Sequence, residues 1–177
     1  MKNRIVQCVG AVIGAVALSL GSATTAVAVE SSPAVEHCAV EAAQLGSTEE
    51  LAEPVCFGTT DGLNAFLEKV GAGNAARGVT ANVLLGTVYK DANGTGASLA
   101  FYGSSGCAEV TFGFSTLTAG WDNSISSARG SNGCWLTLYT ATNYGGSKLN
   151  CTPYCSSIGG WNDNVKSLVF RPAGTFG

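Results

Sequence analysis

The sequence is poor in the groups that most enzymes use to move protons. It contains a single histidine, His37, and charged residues make up only 12% of the chain. A Ser-His-Asp triad and a Cys-His pair would both need that histidine. His37 lies in a segment of mostly small and acidic residues, where we expect a loose chain and a solvated imidazole. The composition therefore favours a binding protein, and we expect no enzymatic activity.

The chain also lacks a strong net charge and a long apolar run. Its formal net charge of −3 provides no basic surface for nucleic acid, so we expect no nucleic-acid partner. The uncharged run over residues 9–20 is shorter than the roughly twenty residues that cross a bilayer. A membrane anchor is the alternative interpretation, and this length disfavours it.

Residues 1–28 have the three parts of a secretory signal peptide. Lys2 and Arg4 precede the apolar run, and Ala26-Val27-Ala28 is a small-residue cleavage motif. No cysteine follows at a position for lipid attachment. We therefore expect a secreted, extracellular protein without a membrane anchor, whose mature chain begins near Val29.

The cysteine count agrees with export. One of the seven cysteines, Cys8, would leave with the signal peptide, and six would remain. An even number in a short exported chain predicts three disulfide bonds, although the pairing stays open. Proximity favours Cys38–Cys56, Cys107–Cys134 and Cys151–Cys155. A zinc-thiolate site is not expected, because no C-x-x-C spacing is present.

The composition changes near Gly78 and divides the mature chain. Residues 29–79 carry eight acidic and two basic side chains, and residues 80–177 are close to neutral. The first part is predicted to be an acidic N-terminal segment or a pro-region with one short helix. That helix would begin at a Thr60 cap and end at Gly71 and Gly73, with an apolar face at i, i+3, i+4 and i+7 formed by Leu63, Phe66, Leu67 and Val70.

Residues 80–177 are typical of an all-β domain. Short apolar runs alternate with clusters of Gly, Asn and Ser, and the run over residues 108–114 places Val110, Phe112 and Phe114 on one face. Several short strands at such spacing predict a sandwich or a barrel. The expected core is modest, and disulfide bonds would support it.

An internal repeat organises this β domain. Trp121 and Trp161 each follow a glycine and precede two Asn/Asp residues and then a serine at the same offset. Upstream of Trp161, the chain from Tyr139 to Gly146 reads Y-x-x-x-x-Y-x-G, and the chain from Tyr89 to Gly96 keeps the first tyrosine and the last glycine. Two copies of one supersecondary unit therefore form the domain.

The duplicated pattern resembles the βγ-crystallin family. Its Greek-key motifs carry the Y-x-x-x-x-Y-x-G signature, and its microbial members carry N/D-N/D-x-x-S/T-S in a later loop. Residues 122–127 fit the second pattern throughout, and residues 162–167 fit it except at Lys166. The resemblance implies a two-sheet Greek-key sandwich of two motifs, present as a monomer.

The resemblance also implies calcium. In the family each site is shared between the two loops, and oxygen-rich loops suit a cation that takes about six to eight oxygen ligands. Ser124 and Asn164 would supply backbone carbonyls, and Ser126 would supply a hydroxyl. The residues that would bind the ion or shape the loops around it are Asp122, Asn123, Ser124, Ser126, Asn162, Asp163 and Asn164. Lys166 stands where the second hydroxyl should be, so one site is expected to be intact and the other lost. The alternative is a pair of Asx-turns without metal.

The segment from Cys151 to Cys155 forms a second candidate site. A disulfide bond there would make a small rigid loop that displays Thr152, Pro153 and Tyr154, and a rigid loop loses little entropy on docking. Bacterial metalloproteinase inhibitors with the crystallin fold resemble this arrangement. The sequence therefore leaves three functions open: a calcium-stabilised crystallin-like domain, an inhibitor of an extracellular protease, and a secreted antimicrobial protein.

Overall fold

Two β-sheets pack face to face in the computed structural model. The structure describes residues 35–47, 52–76, 82–117 and 120–177, which belong to one unit spanning residues 33–177. The predicted signal peptide lies outside the described residues. None of the helices in the described part of the chain combines the length and apolar character needed to cross a bilayer.

The described residues form ten strands and one α-helix. In chain order they are β1 (His37–Glu41), β2 (Val55–Phe57), α1 (Thr60–Ala76), β3 (Val83–Tyr89), β4 (Ser98–Gly103), β5 (Phe112–Phe114), β6 (Ser127–Gly130), β7 (Cys134–Tyr139), β8 (Lys148–Cys151), β9 (Tyr154–Cys155) and β10 (Ser167–Pro172).

The strand order mixes the two halves of the repeat. The larger sheet has the order β2-β1-β4-β3-β6-β9, and the smaller sheet has the order β5-β10-β7-β8. Strand β9 of the second half lies in the larger sheet, and β5 of the first half lies in the smaller sheet. Strand β6, after the first Trp loop, pairs with β3 of its own half, and β10, after the second Trp loop, pairs with β7 of its own half. This is the predicted all-β Greek-key sandwich, and it brings both Trp loops close to the hairpins of their own halves.

The main core lies between the sheets and is rich in aromatic rings. Phe101 packs against Phe114 and Phe170, with ring centroids 4.7 and 5.1 Å away. Each such ring, fully buried, contributes on the order of 2 kcal/mol. At Gly86 the backbone of β3 passes so close to β6 that an added Cβ would strike the Arg129 carbonyl and lie 2.6 Å from a Phe170 ring carbon. The sandwich therefore requires a residue without a side chain at this point.

Three disulfide bonds connect the sheets and their edges. They join the pairs that proximity favoured: Cys38–Cys56, Cys107–Cys134 and Cys151–Cys155. A carboxylate oxygen of Glu36 and the sulfurs of Cys38 and Cys56 lie within 4.8 Å of one another. Because both sulfurs are in a disulfide bond, this group offers no thiolate ligands in the oxidised protein.

The acidic N-terminal segment is part of the sandwich. Strand β1 pairs in parallel with β4 along its whole length, and Cys38, Ala39 and Val40 are buried. His37 is half-buried and its Nδ1 lies 2.8 Å from the Ser98 Oγ, so the expectation of a loose segment and a solvated imidazole is wrong. The sequence pattern missed β1 because its small apolar residues have no clear period.

The same segment then crosses to the other sheet. After β1, the Leu45 amide donates to the Thr111 carbonyl at 2.8 Å, and the Gly113 amide donates to the Ala43 carbonyl at 3.2 Å. A single isolated bridge joins Gln44 to Phe112 at this edge. The N-terminal segment therefore covers one edge of both sheets, β4 in the larger and β5 in the smaller.

The predicted helix is present but its ends differ from the prediction. Thr59, one residue earlier than expected, accepts a hydrogen bond from the Gly62 amide through its Oγ1 at 3.1 Å. The helix continues through Gly71 and Gly73 to Ala76, although each interior glycine costs about 1 kcal/mol relative to alanine. Its apolar face packs on the outer face of the larger sheet in a second cluster of Ala39, Phe57, Leu63, Phe66, Leu67, Leu84, Ala100 and Tyr102.

Candidate functional site: the paired loops and the disulfide loop

The two folded hairpins have the same backbone shape. In the first, Asn93 and Gly96 have φ angles of 60° and 73°, and in the second, Asn143 and Gly146 have 54° and 75°. Positive φ favours glycine and asparagine, which explains the Asn and Gly clusters of the signature. Tyr144 takes a φ of 60° where the first copy has a glycine. The repeat in the sequence is therefore a repeat in conformation.

The last serine of each Trp loop fastens the hairpin of its own half. Ser127 Oγ donates to the Asp91 carbonyl at 2.6 Å and accepts from the Gly94 amide at 3.0 Å. Ser167 makes the equivalent bonds to the second hairpin at 2.7 and 3.1 Å. Both serines are fully buried. Sequence reasoning gave these residues no role, although their invariance between the two copies was visible.

The Trp loops also brace each other. The Asn123 amide donates to the Val165 carbonyl at 2.9 Å, and the Asp163 amide donates to the Ile125 carbonyl at 3.1 Å. Asn123 and Asp163 have φ angles of 54° and 55°, so both loops make the same left-handed turn. The structure therefore brings the two predicted half-sites together across an approximate two-fold relation.

The side chains of the Asn/Asp pairs remain at the surface. Asn123 Nδ2 donates to an Asp122 carboxylate oxygen at 3.3 Å, and Asn162 Nδ2 donates to an Asp163 carboxylate oxygen at 2.8 Å. All four side chains are exposed. The two carboxylates thus engage their own loops and remain open to solvent.

The fifth position of the loop motif is where the two halves differ. Ser126 is 8% exposed, and its Oγ donates to the Lys90 carbonyl at 2.7 Å. Lys166 occupies the matching position with a half-buried side chain. The ammonium of Lys90 lies 5.0 Å from the centre of the Trp121 ring, which is itself buried. The first loop therefore combines a buried hydroxyl, a carbonyl and a cation held against an aromatic ring.

The disulfide loop spans the two sheets. Cys151 ends β8 in the smaller sheet, and Cys155 lies in β9 at the edge of the larger sheet. Between them, Thr152, Pro153 and Tyr154 are exposed, as the sequence suggested. The Pro153 carbonyl accepts a hydrogen bond from the Gly130 amide at 2.7 Å. The loop is thus fastened at both ends and at its centre.

The comparisons with known proteins cover the β domain. The model of peptidase inhibitor family I36 matches residues 88–152, from the end of β3 into the disulfide loop. A βγ-crystallin domain from Flavobacterium johnsoniae is 30% identical, over 52% of this chain and 99% of that domain, with a TM-score of 0.37. The chain belongs to the βγ-crystallin-like family. No protein with a curated description matches it.

Further βγ-crystallin domains are similar to about half of the chain. One from Clostridium beijerinckii is 22% identical over 49% of this chain and 97% of its own, with a TM-score of 0.39. An archaeal βγ-crystallin is 24% identical over 51% of this chain and 98% of its own, with a TM-score of 0.37. These βγ-crystallin-like proteins and the peptidase inhibitors are non-catalytic kinds of protein.

Proposed function

We propose that this protein is a secreted, non-catalytic inhibitor of an extracellular metalloprotease. It would bind the protease through the loop from Cys151 to Cys155 on the βγ-crystallin-like domain. The match of residues 88–152 to a peptidase inhibitor family carries the proposal, because that match reaches into the loop. The three disulfide bonds support an extracellular location, since such bonds persist in oxidising compartments.

The geometry of the loop supports this role. An inhibitor must present a segment that a protease can bind without a large loss of conformational entropy. The disulfide bond closes the loop at its base, and the hydrogen bond from Gly130 to the Pro153 carbonyl fixes its middle. Thr152, Pro153 and Tyr154 are exposed at the edge of the larger sheet in the described part of the chain.

The experiment is an inhibition assay with the mature protein. We expect it to inhibit a secreted bacterial zinc metalloprotease and to leave a serine protease active. Cys151→Ser with Cys155→Ser should weaken inhibition strongly, because the open loop must be ordered on binding. The matched control, Cys38→Ser with Cys56→Ser, opens a disulfide bond in the N-terminal hairpin and should change inhibition little. Absence of inhibition across secreted metalloproteases, or inhibition of serine proteases alone, would overturn the proposal.

We also propose that one calcium ion stabilises the domain at the first loop. The residues there fit such an ion in part: the Ser126 hydroxyl is buried in the loop, where it donates to the Lys90 carbonyl at 2.7 Å, and calcium would have to replace that bond. Within the described ranges, no backbone donor reaches the carbonyl of Ser124 or Asn164. Oxygen atoms so arranged are the ligands that calcium prefers.

The second loop fits calcium poorly. Lys166 brings an ammonium group, which has no lone pair and repels a dication, to the position of the hydroxyl. The expected stoichiometry is therefore one ion per chain. Asp122 and Asp163 would supply the only carboxylates of the two loops, so we expect modest affinity. Calorimetric titration of calcium into the metal-free mature protein tests this. If no heat of binding is measured, both loops are Asx-turns without a metal ion.

A further inference from the structure

Tyr154 lies against the sheet, whereas its two neighbours in the loop do not. Tyr154 belongs to β9 and is paired with Arg129 of β6. The Arg129 guanidinium lies 4.4 Å from the centre of the Tyr154 ring. The hydroxyl end of the ring reaches the first hairpin, where a Cβ added to Gly94 would lie 3.7 Å from the Tyr154 oxygen. These contacts leave the residue 37% exposed.

Thr152 and Pro153 have a different environment. Both are exposed, and neither is paired with a residue of β6. The Pro153 carbonyl is held by the Gly130 amide, the residue next to Arg129. The loop therefore has an anchored side, formed by Tyr154 and the Pro153 carbonyl, and a free side, formed by Thr152 and the Pro153 ring.

We propose that Arg129 is a positioning residue of the disulfide loop, which clamps Tyr154 so that Thr152 and Pro153 meet the protease. This inference rests on the proposed inhibitory function. It also changes the role expected for Tyr154, from a residue that the protease binds to one that holds the loop in place.

The chemistry of the pair explains why arginine suits this position. A guanidinium is planar and weakly hydrated, so it can stack on a tyrosine face while its edge stays in water. A lysine would keep the charge over the ring but lose the planar contact.

The test compares Arg129→Ala and Arg129→Lys in the full mature protein. With a secreted zinc metalloprotease as the probe, we expect Arg129→Ala to weaken inhibition about fivefold, mainly through faster dissociation. Arg129→Lys should recover part of this loss. Lys148→Ala removes an exposed cation from β8 of the other sheet and serves as the matched control. Tyr154→Ala should act like Arg129→Ala, and the double variant should be no worse than either.

A second measurement needs no protease. Hydrogen exchange of the Gly130 amide reports its bond to Pro153, and we expect faster exchange in Arg129→Ala than in the unmodified protein. If the protein inhibits and Arg129→Ala inhibits equally well, the clamp is wrong while the proposed function stands. If no protease is inhibited, the function is wrong, and unchanged exchange at Gly130 would overturn the clamp as well.

Discussion

Ser126 and Lys166 occupy equivalent places in the two halves of the domain. The Ser126 amide donates to the Tyr89 carbonyl at 2.9 Å, and the Lys166 amide donates to the Tyr139 carbonyl at 2.9 Å. Each tyrosine is the first residue of the hairpin signature in its half. The backbone amides at this position are therefore held alike, and the two side chains differ in that one offers a hydroxyl and the other an ammonium group.

The first prediction concerns these two side chains. Thermal unfolding should shift upward in millimolar calcium and return with a chelator, because a ligand that binds only the native state adds about 2.7 kcal/mol at a hundredfold excess over its Kd. Ser126→Ala should abolish the shift. Lys166→Ser should add a second binding event in calorimetry, since it restores a hydroxyl and removes a repelling charge.

The control for the calcium prediction is Ser124→Ala. It removes a hydroxyl from the same loop but keeps the carbonyl that the proposal uses, so the shift should persist. Two equal binding events in the unmodified protein would show that Lys166 is not at a ligand position.

The second prediction concerns the buried serines that fasten the hairpins. Ser127→Ala removes the buried hydroxyl that binds the Gly94 amide and the Asp91 carbonyl, and the loss of these two partly buried bonds should cost about 1 kcal/mol or more. In urea denaturation, the midpoint concentration should fall, while the slope of the unfolding free energy against urea concentration stays unchanged. Ser156→Ala, at an exposed position of the neighbouring segment, should change the midpoint little. Equal midpoints for the two variants would contradict the fastening role.

The third prediction tests whether β1 contributes to the domain. Val40 is 2% exposed in the main core, and Val55 in β2 is 46% exposed. Val40→Ala should lower the free energy of unfolding by about 2 kcal/mol, whereas Val55→Ala should have little effect. If both substitutions prove neutral in the secreted protein, β1 is not packed there, and the pro-region interpretation gains support.

The fourth prediction concerns the close approach of β3 and β6. Gly86→Ala would place a methyl group against the Arg129 carbonyl and the Phe170 ring, and the resulting strain should cost about 2 kcal/mol or more. Gly160→Ala is the matched control, because an added Cβ there meets nothing within 4 Å and φ is not positive. Thermal unfolding of both variants measures the difference in stability. If Gly86→Ala unfolds at the same temperature as the unmodified protein, strands β3 and β6 can move apart at little cost.

The sequence predicted the β domain well because its signals are local and duplicated. Most of the positive φ angles in the two hairpins fall on Asn and Gly, and β5 lies inside the alternating run predicted over residues 108–114. The disulfide bonds join consecutive cysteines from Cys38 onward. The loop ligands, the metal and the protease partner stay predictions.

The rest depends on contacts between distant parts of the chain. Strand β6 reads Ser-Ala-Arg-Gly, which has no apolar alternation, and it becomes a strand because β3 lies beside it. Strand β5 is shorter than the alternating run predicted: it begins at Phe112, opposite Phe170, although its partner β10 continues to Pro172. Helix α1 continues past Gly71 and Gly73, although the helix residues that pack on the sheet, Leu63, Phe66 and Leu67, all precede these glycines.

The crossing of the N-terminal segment from one sheet to the other sets an order of events during synthesis. Strand β1 is made before β4 and β5, the two strands whose edges it covers. It has no partner of its own beyond β2 until those strands have emerged, and domains are made from the N-terminal end. The first strand of the described residues therefore has only β2 beside it until β4 has been made, and its own free edge is open to other chains during that time.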